Sequence, residues 1–173
     1  RYTSDDGKSR LRFTHVFHEE TEITGYCKLH AWVSAKEAHD MDLYAKLQKV
    51  DADGHYVFSD GIEMQYGGPN AMLRVSLREL DEAASTDSEP RQSFLHPHIL
   101  HPGEIVEVEL AFWPTSLRFH PGETLELSIA GFDYLGLHDG ICNVLDGCNR
   151  GENTVHCGGI YDTYLQIPVI PAK

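Results

Sequence analysis

The sequence writes one phrase twice, as HPGEIVEVEL (101–110) and as HPGETLELSI (120–129), and this phrase decides the fold. In each copy a Pro-Gly pair supplies the backbone angles of a β-turn. The residues that follow alternate with a period of two, which is typical of a strand with one buried and one wet face. The predicted inward residues are Val106, Val108, Leu110, Leu125, Leu127 and Ile129, and the predicted outward ones are Ile105, Glu107, Glu109, Thr124, Glu126 and Ser128. The phrase therefore indicates a structural element, a turn followed by a strand, and not a catalytic motif.

The same alternation recurs through most of the chain, while no stretch shows a helical stripe over three turns. Asp53-Gly54 predicts a hairpin turn, and Gly158-Gly159 predicts a bulge or corner. Short helical pieces are expected only near 34–39 or 79–84, and residues 81–103 and 134–153 are expected to be loops. The further strand candidates are 10–17, 21–35, 40–54, 55–61, 71–80 and 153–170. Together they predict an all-β, antiparallel two-sheet jelly-roll sandwich that forms a single domain over residues 1–173.

Composition limits the partners that this chain can have. Against 14 Lys and Arg stand 27 Asp and Glu, a net charge of −13, and no basic cluster is expected to reverse it locally. We therefore expect neither nucleic acid nor a membrane as a partner, and no apolar run approaches the about 20 residues of a membrane helix. The chain opens at Arg1 without an initiator Met, which indicates a fragment or a processed product. Four cysteines are too few for a disulfide scaffold and favour a reducing, cytoplasmic location.

The motifs of common enzymes are missing from the sequence. No G-x-S-x-G elbow is present, and the nearest frame, GLHDG (136–140), has His in the middle. Walker and dinucleotide-binding loops are also missing, and HEETE (18–22) lacks the second His of a zinc protease. We therefore assign no catalytic, cofactor-binding or metal-ligating residue and predict that the chain alone is inactive.

Three groups of residues nevertheless allow a metal or a disulfide. They are His96, His98 and His101; Cys142, Cys148 and Cys157 with His138 and His156; and Asp51, Asp53 and Asp60. An imidazole cluster with an open zinc position is one interpretation of the first group, and an exposed loop is the favoured one. The second group allows a metal site or a Cys142–Cys148 disulfide, with unpaired thiols favoured because the spacing fits structural zinc poorly. The third group allows calcium, although a hairpin turn explains it without an ion.

Aromatic and basic residues suggest binding surfaces. Trp32 has the opposite parity to the apolar set of its strand, so an aromatic face could dock on another domain or stack on sugar rings. Arg74 and Arg78 are predicted to share one face of a strand, where ion pairs to neighbouring strands are favoured over anion binding. The other aromatic candidates are Tyr26, Tyr44, Trp113, Tyr161 and Tyr164.

Four blocks in order resemble a known family: TEITGYCKLHAWVSA…DMDLYAKLQKVDADG, LRVSLRELD, HPGEIVEVELAFWPTSLRFHPGETLELSIAGFD and NRGENTVHCGGIYDTYLQIPVIP. From about Leu11 to Pro171 the chain is similar to the C-terminal non-catalytic domain of the X-Pro dipeptidyl-peptidase and CocE/NonD acyl-hydrolase family. Cys157 beside the paired glycines and the insert 134–149 depart from the family pattern.

The resemblance implies a galactose-binding-like jelly roll and a role without catalysis of its own. In such enzymes a Ser-His-Asp triad in a separate α/β-hydrolase domain cleaves esters or amides, and no triad residue maps onto this chain. The implied partner is that catalytic domain in the same polypeptide, whose substrate cleft or subunit contacts this domain would help to shape. A stand-alone carbohydrate-binding module on the same fold is the alternative, and a homo-oligomerisation domain is a third possibility.

Overall fold

The alternating segments become strands in the computed structural model, which describes residues 1–60, 65–132 and 147–171. This part of the chain contains fourteen strands and one 3-10 helix, Val75–Leu77. The strands are β1 (Tyr2–Thr3), β2 (Arg10–Val16), β3 (Thr21–Gly25), β4 (Lys28–Ala35), β5 (Asp42–Val50), β6 (Ser59–Asp60), β7 (Gln65–Tyr66), β8 (Asn70–Arg74), β9 (Val106–Ala111), β10 (Thr115–Phe119), β11 (Thr124–Ala130), β12 (Glu152–His156), β13 (Tyr164–Gln166) and β14 (Val169–Ile170).

The first layer of the sandwich is a four-stranded antiparallel sheet in the order β2-β11-β5-β8. Its register places Leu127 of β11 opposite Phe13 of β2 and Leu47 of β5. Because all three have the same parity, the apolar positions of neighbouring strands fall on one face. β8 pairs only with β5 and so forms an edge of this sheet.

The second layer is built around β4. β9 pairs with one edge of β4, from Lys28 to Val33, while β12 and β13 follow one another along its other edge. β1 extends this sheet by pairing with β12. The strands β3, β10 and β14 form a separate sheet with the order β10-β3-β14, which repeats the order β9-β4-β13 of their chain neighbours.

The second layer therefore has a crease, where three neighbouring strands are interrupted at the same level. Pro114 and Pro168 lie at two of these interruptions, and proline cannot donate a ladder hydrogen bond. Gly25 lies at the third with φ +134°, and a side chain there would meet the ring of Pro168 at 3.4 Å. The segment predicted as one strand over 21–35 is consequently two strands, β3 and β4.

One hydrophobic core joins both layers. Every residue predicted to point inward from the two repeated phrases is buried, and Leu29, Ala31 and Val33 of β4 are fully buried with them. Burial of this apolar surface, at about 25 cal/mol per Å², is the main stabilising contribution to such a sandwich. The predicted all-β antiparallel sandwich is confirmed, whereas the narrower galactose-binding-like description stays a prediction.

Several local predictions were wrong. Residues 34–39 contain the end of β4 followed by bends, and 79–84 form a bridge and a turn, so neither is helical. The strand predicted over 71–80 ends at Arg74, and 153–170 divides into β12, β13 and β14. Among the described residues no helix is long and apolar enough to cross a membrane.

The outer face of β11 also differs from its prediction. Glu126 and Ser128 were expected to be wet, yet both are buried. Tyr56, from the segment after β5, donates its hydroxyl hydrogen to Glu126 Oε1 at 2.9 Å, and Ser128 Oγ donates to the same oxygen at 3.0 Å. Period-two alternation identifies the face of a residue, but it does not reveal which loop covers that face.

Candidate functional site

The first metal candidate, the three histidines of 96–101, is divided between two places. His96 Nδ1 lies 3.0 Å from Glu79 Oε2, and His98 Nε2 lies 3.8 Å from the other oxygen of the same carboxylate. His101 belongs instead to the turn before β9, where its backbone N–H donates to Glu104 Oε2. Within the described ranges no three His, Cys, Asp or Glu side chains are placed to hold a metal ion.

The second candidate group falls partly on Cys142 and His138, which lie outside the described residues, as does GLHDG. Cys148 and Cys157 are free thiols, as is the buried Cys27. Burial, together with the nearby carboxylates of Asp42 and Asp40, raises the pKa of Cys148 to about 12. Cys148 is therefore a poor nucleophile at neutral pH, whereas Cys157 is exposed.

Two members of the third group, Asp51 and Asp53, form the predicted hairpin turn, whereas Asp60 lies in β6. The Oδ1 atom of Asp51 accepts the backbone N–H groups of Asp53 and His55 at 3.0 and 2.8 Å, and Gly54 has φ +87°. These bonds hold the pKa of the Asp51 carboxyl below its usual value. The Asp51 carboxylate thus acts as a turn cap.

The structure separates the two arginines that were predicted to share a strand face. Arg74 ends β8 and forms a two-pronged ion pair with Asp42 of β5, with Nε to Oδ1 at 2.8 Å and Nη2 to Oδ2 at 3.0 Å. This ion pair between neighbouring strands was predicted. The prediction for Arg78 was wrong, because the chain turns into the 3-10 helix and the Arg78 guanidinium donates to the carbonyl groups of Val75 and His98.

The aromatic candidates do not form a single row. Trp32 lies on the outer face of β4 as predicted, where its indole N–H donates to Asp162 Oδ1 at 2.9 Å and its ring lies 5.7 Å from that of Tyr161. Tyr164 stacks on the ring of His30 at 4.8 Å. The other three are dispersed: Tyr44 is buried in the first layer, and Tyr26 and Trp113 follow β3 and β9.

Charged groups also cover the outer face of β4. The Lys28 ammonium is 4% exposed and lies 3.1 Å from Glu109 Oε1 of β9. Burial alone would lower the pKa of Lys28, but the bond to Glu109 raises it above the usual value. A buried cation is therefore paired within the domain, as burial of charge requires.

An apolar surface beside β8, which sequence reasoning missed, is the candidate docking site. We call it the β8 surface, and it consists of Tyr44, Met72, Leu77 and Phe94 around a cavity of about 250 Å³. Leu95 follows Phe94 in the chain. Met72 is 50% exposed, Phe94 65% and Leu95 72%. A contiguous exposed apolar patch of this kind is typical of an interaction site.

Phe94 is held in a strained conformation at this surface. Its φ of +54° is unfavourable for a bulky residue, and among the described non-glycine residues it is the only one with positive φ. The Glu79 carboxylate contacts residues on both sides of Phe94. It accepts a hydrogen bond from the Ser93 hydroxyl at 2.6 Å and lies 3.0 Å from His96 Nδ1. These bonds, first that of Ser93 and then that of His96, keep the pKa of Glu79 below its usual value. His96, considered above as a zinc ligand, thus helps to hold the exposed Phe94 side chain in place.

A second feature that sequence reasoning missed is the hydrogen-bond network of Asn149. Its amide Nδ2 donates to the carbonyl groups of Asp42 and Gly131 at 2.9 and 2.8 Å. Its Oδ1 accepts the Asp42 N–H at 3.0 Å and Asn153 Nδ2 at 3.2 Å. The Asn149 side chain therefore makes, with the backbone N–H and C=O of Asp42 at the start of β5, the two hydrogen bonds that a neighbouring strand would make. The NRGEN block was the available signal, since Asn149 and Asn153 are its first and last residues.

Comparisons with known proteins agree with this architecture. The family model of the X-Pro dipeptidyl-peptidase C-terminal non-catalytic domain matches residues 1–166. A solved CocE/NonD family hydrolase from Staphylococcus aureus is 33% identical, with a TM-score of 0.90 over 98% of this chain and 32% of that chain. A search of the curated proteins found no significant match.

Two more distant structures share the fold alone. They are an aminopeptidase from the marine sediment archaeon Thaumarchaeota archaeon, 15% identical with a TM-score of 0.64, and an α-amino acid ester hydrolase, 16% identical with a TM-score of 0.63. The matches cover 94% and 98% of this chain but 26% and 27% of those chains. The chain thus spans about a third or less of the length of these structures.

The order of strands, the repeated turn phrase and the match over nearly the whole chain lead to one assignment, and they support a non-catalytic accessory domain over a carbohydrate-binding module. The chain belongs to the family of X-Pro dipeptidyl-peptidase C-terminal non-catalytic domains.

Proposed function

We propose that this domain packs against an α/β-hydrolase catalytic domain of the same polypeptide, in a serine hydrolase of the dipeptidyl-peptidase or acyl-esterase type. It contributes surface to the substrate cleft or to subunit contacts and no catalytic residue. The observation that carries the proposal is the β8 surface, because two large apolar side chains, Met72 and Phe94, are exposed there around a cavity. The chain matches only 32% of the solved relative, which supports a further domain in the polypeptide that covers these side chains.

The strain at Phe94 is the physical reason to select this surface among the exposed apolar residues. A bulky residue at positive φ costs about 1–3 kcal/mol, and such strain clusters at functional sites. An intradomain role does not offset that cost, since the Phe94 side chain is 65% exposed. Packing against a partner domain would remove the Phe94 ring and the Met72 side chain from water. The free energy of this burial would offset the strain at Phe94.

The first test concerns activity. The 173-residue chain alone is expected to show no saturable turnover of p-nitrophenyl acetate, and the gene upstream of the Arg1 codon is expected to encode a G-x-S-x-G elbow after a strand. Saturable hydrolysis by the chain alone, blocked by a phosphonate inhibitor, would refute the proposal.

The second test concerns the surface and uses the complete polypeptide. Phe94→Ser and Met72→Ser are expected to speed protease cleavage between the domains and to lower the temperature of inactivation. Ile160→Ser is the matched control, because Ile160 is 83% exposed on the turn before β13 and outside the β8 surface. Equal effects of the three substitutions would contradict docking at this surface. A dimer of the isolated chain that Phe94→Ser dissociates, seen by light scattering, would assign the surface to self-association instead.

A further inference from the structure

A pocket at the edge of the first layer gathers basic side chains. It has a volume of about 550 Å³ and is formed by the segment before β2 together with β1, β2 and β12. We call it the basic pocket; its charged residues are Arg1, Lys8, Arg10, Arg12 and Glu152. Its size falls within the range of small-ligand sites, about 300–1,000 Å³.

The charge of this pocket is opposite to that of the chain. Four of the 14 Lys and Arg residues line it beside one carboxylate, while the chain as a whole carries −13. The expectation that no basic cluster reverses the charge locally was wrong here, because Lys8, Arg10 and Arg12 lie within five residues of the sequence and the fold brings Arg1 beside them. A concave site lined by one sign of charge concentrates ions of the other sign.

Few of these cations are neutralised within the domain. Arg1 Nη1 lies 3.4 Å from Glu152 Oε1, and Arg12 Nε lies 3.9 Å from Glu126 Oε1, which is beyond hydrogen-bond range. In the described part of the chain Lys8 and Arg10 have no ion pair. Asp6, the nearest acid in sequence, accepts the Ser9 hydroxyl and the backbone N–H groups of Lys8 and Ser9, and its carboxylate interacts electrostatically with Lys8 without forming an ion pair.

Lys46 is a further cation close to the pocket, on the outer face of the same sheet. Ser128 of β11 pairs in register with Arg12 on one side and with Lys46 on the other. Burial lowers the pKa of Lys46, and the charge of Arg10 lowers it further.

We propose that the basic pocket binds a small multivalent oxyanion of the phosphate class. Three guanidinium groups provide forked N–H donors that match phosphate oxygens in pairs, and the ammonium group of Lys8 adds a point charge. The four cations and one carboxylate leave three positive charges, which a pyrophosphate offsets more fully than a phosphate, whose charge near pH 7 is about −1.5 to −2. The inference does not depend on docking at the β8 surface, which lies on the opposite edge of the first layer.

The test is isothermal titration of the complete polypeptide with inorganic phosphate and with pyrophosphate at constant ionic strength. Pyrophosphate is expected to bind more tightly than phosphate, and added sodium chloride is expected to weaken both. Citrate is the comparator, because it offers similar charge on planar carboxylates and distinguishes a phosphate site from one for acidic side chains. Tighter binding of citrate than of pyrophosphate would overturn the proposal.

Variants locate the binding. Arg10→Gln and Arg12→Gln are each expected to weaken pyrophosphate binding by about 10-fold or more, since hydrogen bonds to charged groups contribute about 1.5–3 kcal/mol. Arg91→Gln is the control, because it removes the same charge from an exposed arginine that pairs with Glu89 outside the pocket. All three positions are exposed, so unchanged thermal unfolding is expected and is measured alongside. No binding by the unaltered polypeptide at millimolar pyrophosphate, or equal losses in all three variants, would refute the site.

Discussion

Replacing Asn149 by alanine should show how much one buried amide contributes to this sandwich. Asn149 is 4% exposed, and its side chain makes four hydrogen bonds, to the N–H and the C=O of Asp42, to Gly131 and to Asn153. The substitution leaves these buried partners unsatisfied. Asn70→Ala is the matched control, because Asn70 is 6% exposed and neither atom of its amide has a hydrogen-bond partner in the described part of the chain.

The expected difference follows from the number of hydrogen bonds. A typical bond contributes about 1 kcal/mol net, and neighbouring bonds are not fully additive, so Asn149→Ala should lower the free energy of unfolding by about 3 kcal/mol. Asn70→Ala loses packing but no hydrogen bond, and it removes a desolvated amide, so its effect should remain below about 1 kcal/mol.

Urea denaturation followed by tryptophan fluorescence measures both effects. With a slope of about 2 kcal/mol per molar urea, Asn149→Ala should move the midpoint down by about 1.5 M and leave the slope unchanged. Asn149→Asp should be comparably destabilising, since a carboxylate oxygen would face the carbonyl groups of Asp42 and Gly131. Equal losses for Asn149→Ala and Asn70→Ala would refute the reasoning, because the two sites differ in hydrogen bonds and hardly in burial.

Three further outcomes are expected. Burial alone would raise the pKa of Asp42, but Arg74 and the Cys148 N–H hold it below its usual value. Its contribution to stability is therefore present above the unfolded-state pKa of about 4 and is lost as pH falls through the lower folded-state pKa, so Asp42→Asn should flatten the acid side of the stability curve measured by urea denaturation from pH 7 to 3. Iodoacetamide at pH 7.5 should label Cys157 faster than Cys148, as peptide mass mapping would show, because Cys157 is exposed, whereas burial and nearby carboxylates raise the pKa of Cys148 to about 12. Gly68→Ala should prevent folding, seen by circular dichroism, because a Cβ there would lie 1.9 Å from the Leu47 carbonyl oxygen.

The sequence predicted the sandwich because its signal is local and periodic. Val108 and Leu127 are buried as the alternation in the two repeated phrases indicates. The same rule failed for Glu126, since the covering group, Tyr56, comes from a loop 70 residues away in the chain. Parity depends on neighbouring residues, whereas the covering of an outer face depends on the tertiary structure.

The candidate surfaces were less predictable for the same reason. The strain at Phe94 depends on Glu79, which precedes it by fifteen residues across a turn with no regular pattern, and apolar residues in such a loop resemble ordinary core residues. Similarly, Arg1 joins the short basic run of Lys8, Arg10 and Arg12 in one pocket only because β1 pairs with β12. A scan for basic runs detects the run but not the pocket.

The crease in the second layer determines when the domain can be completed during synthesis. The strand beyond the crease that contains Ile23 gains its second neighbour only through Val169, 146 positions later. Pairing between such distant segments has a large loop-closure entropy cost and forms slowly. A ribosome must therefore release almost all of the chain before β3 is closed on both edges. Until then this strand remains an open edge, and a nascent chain stalled shortly before β14 would present it to proteases and to other unfinished chains.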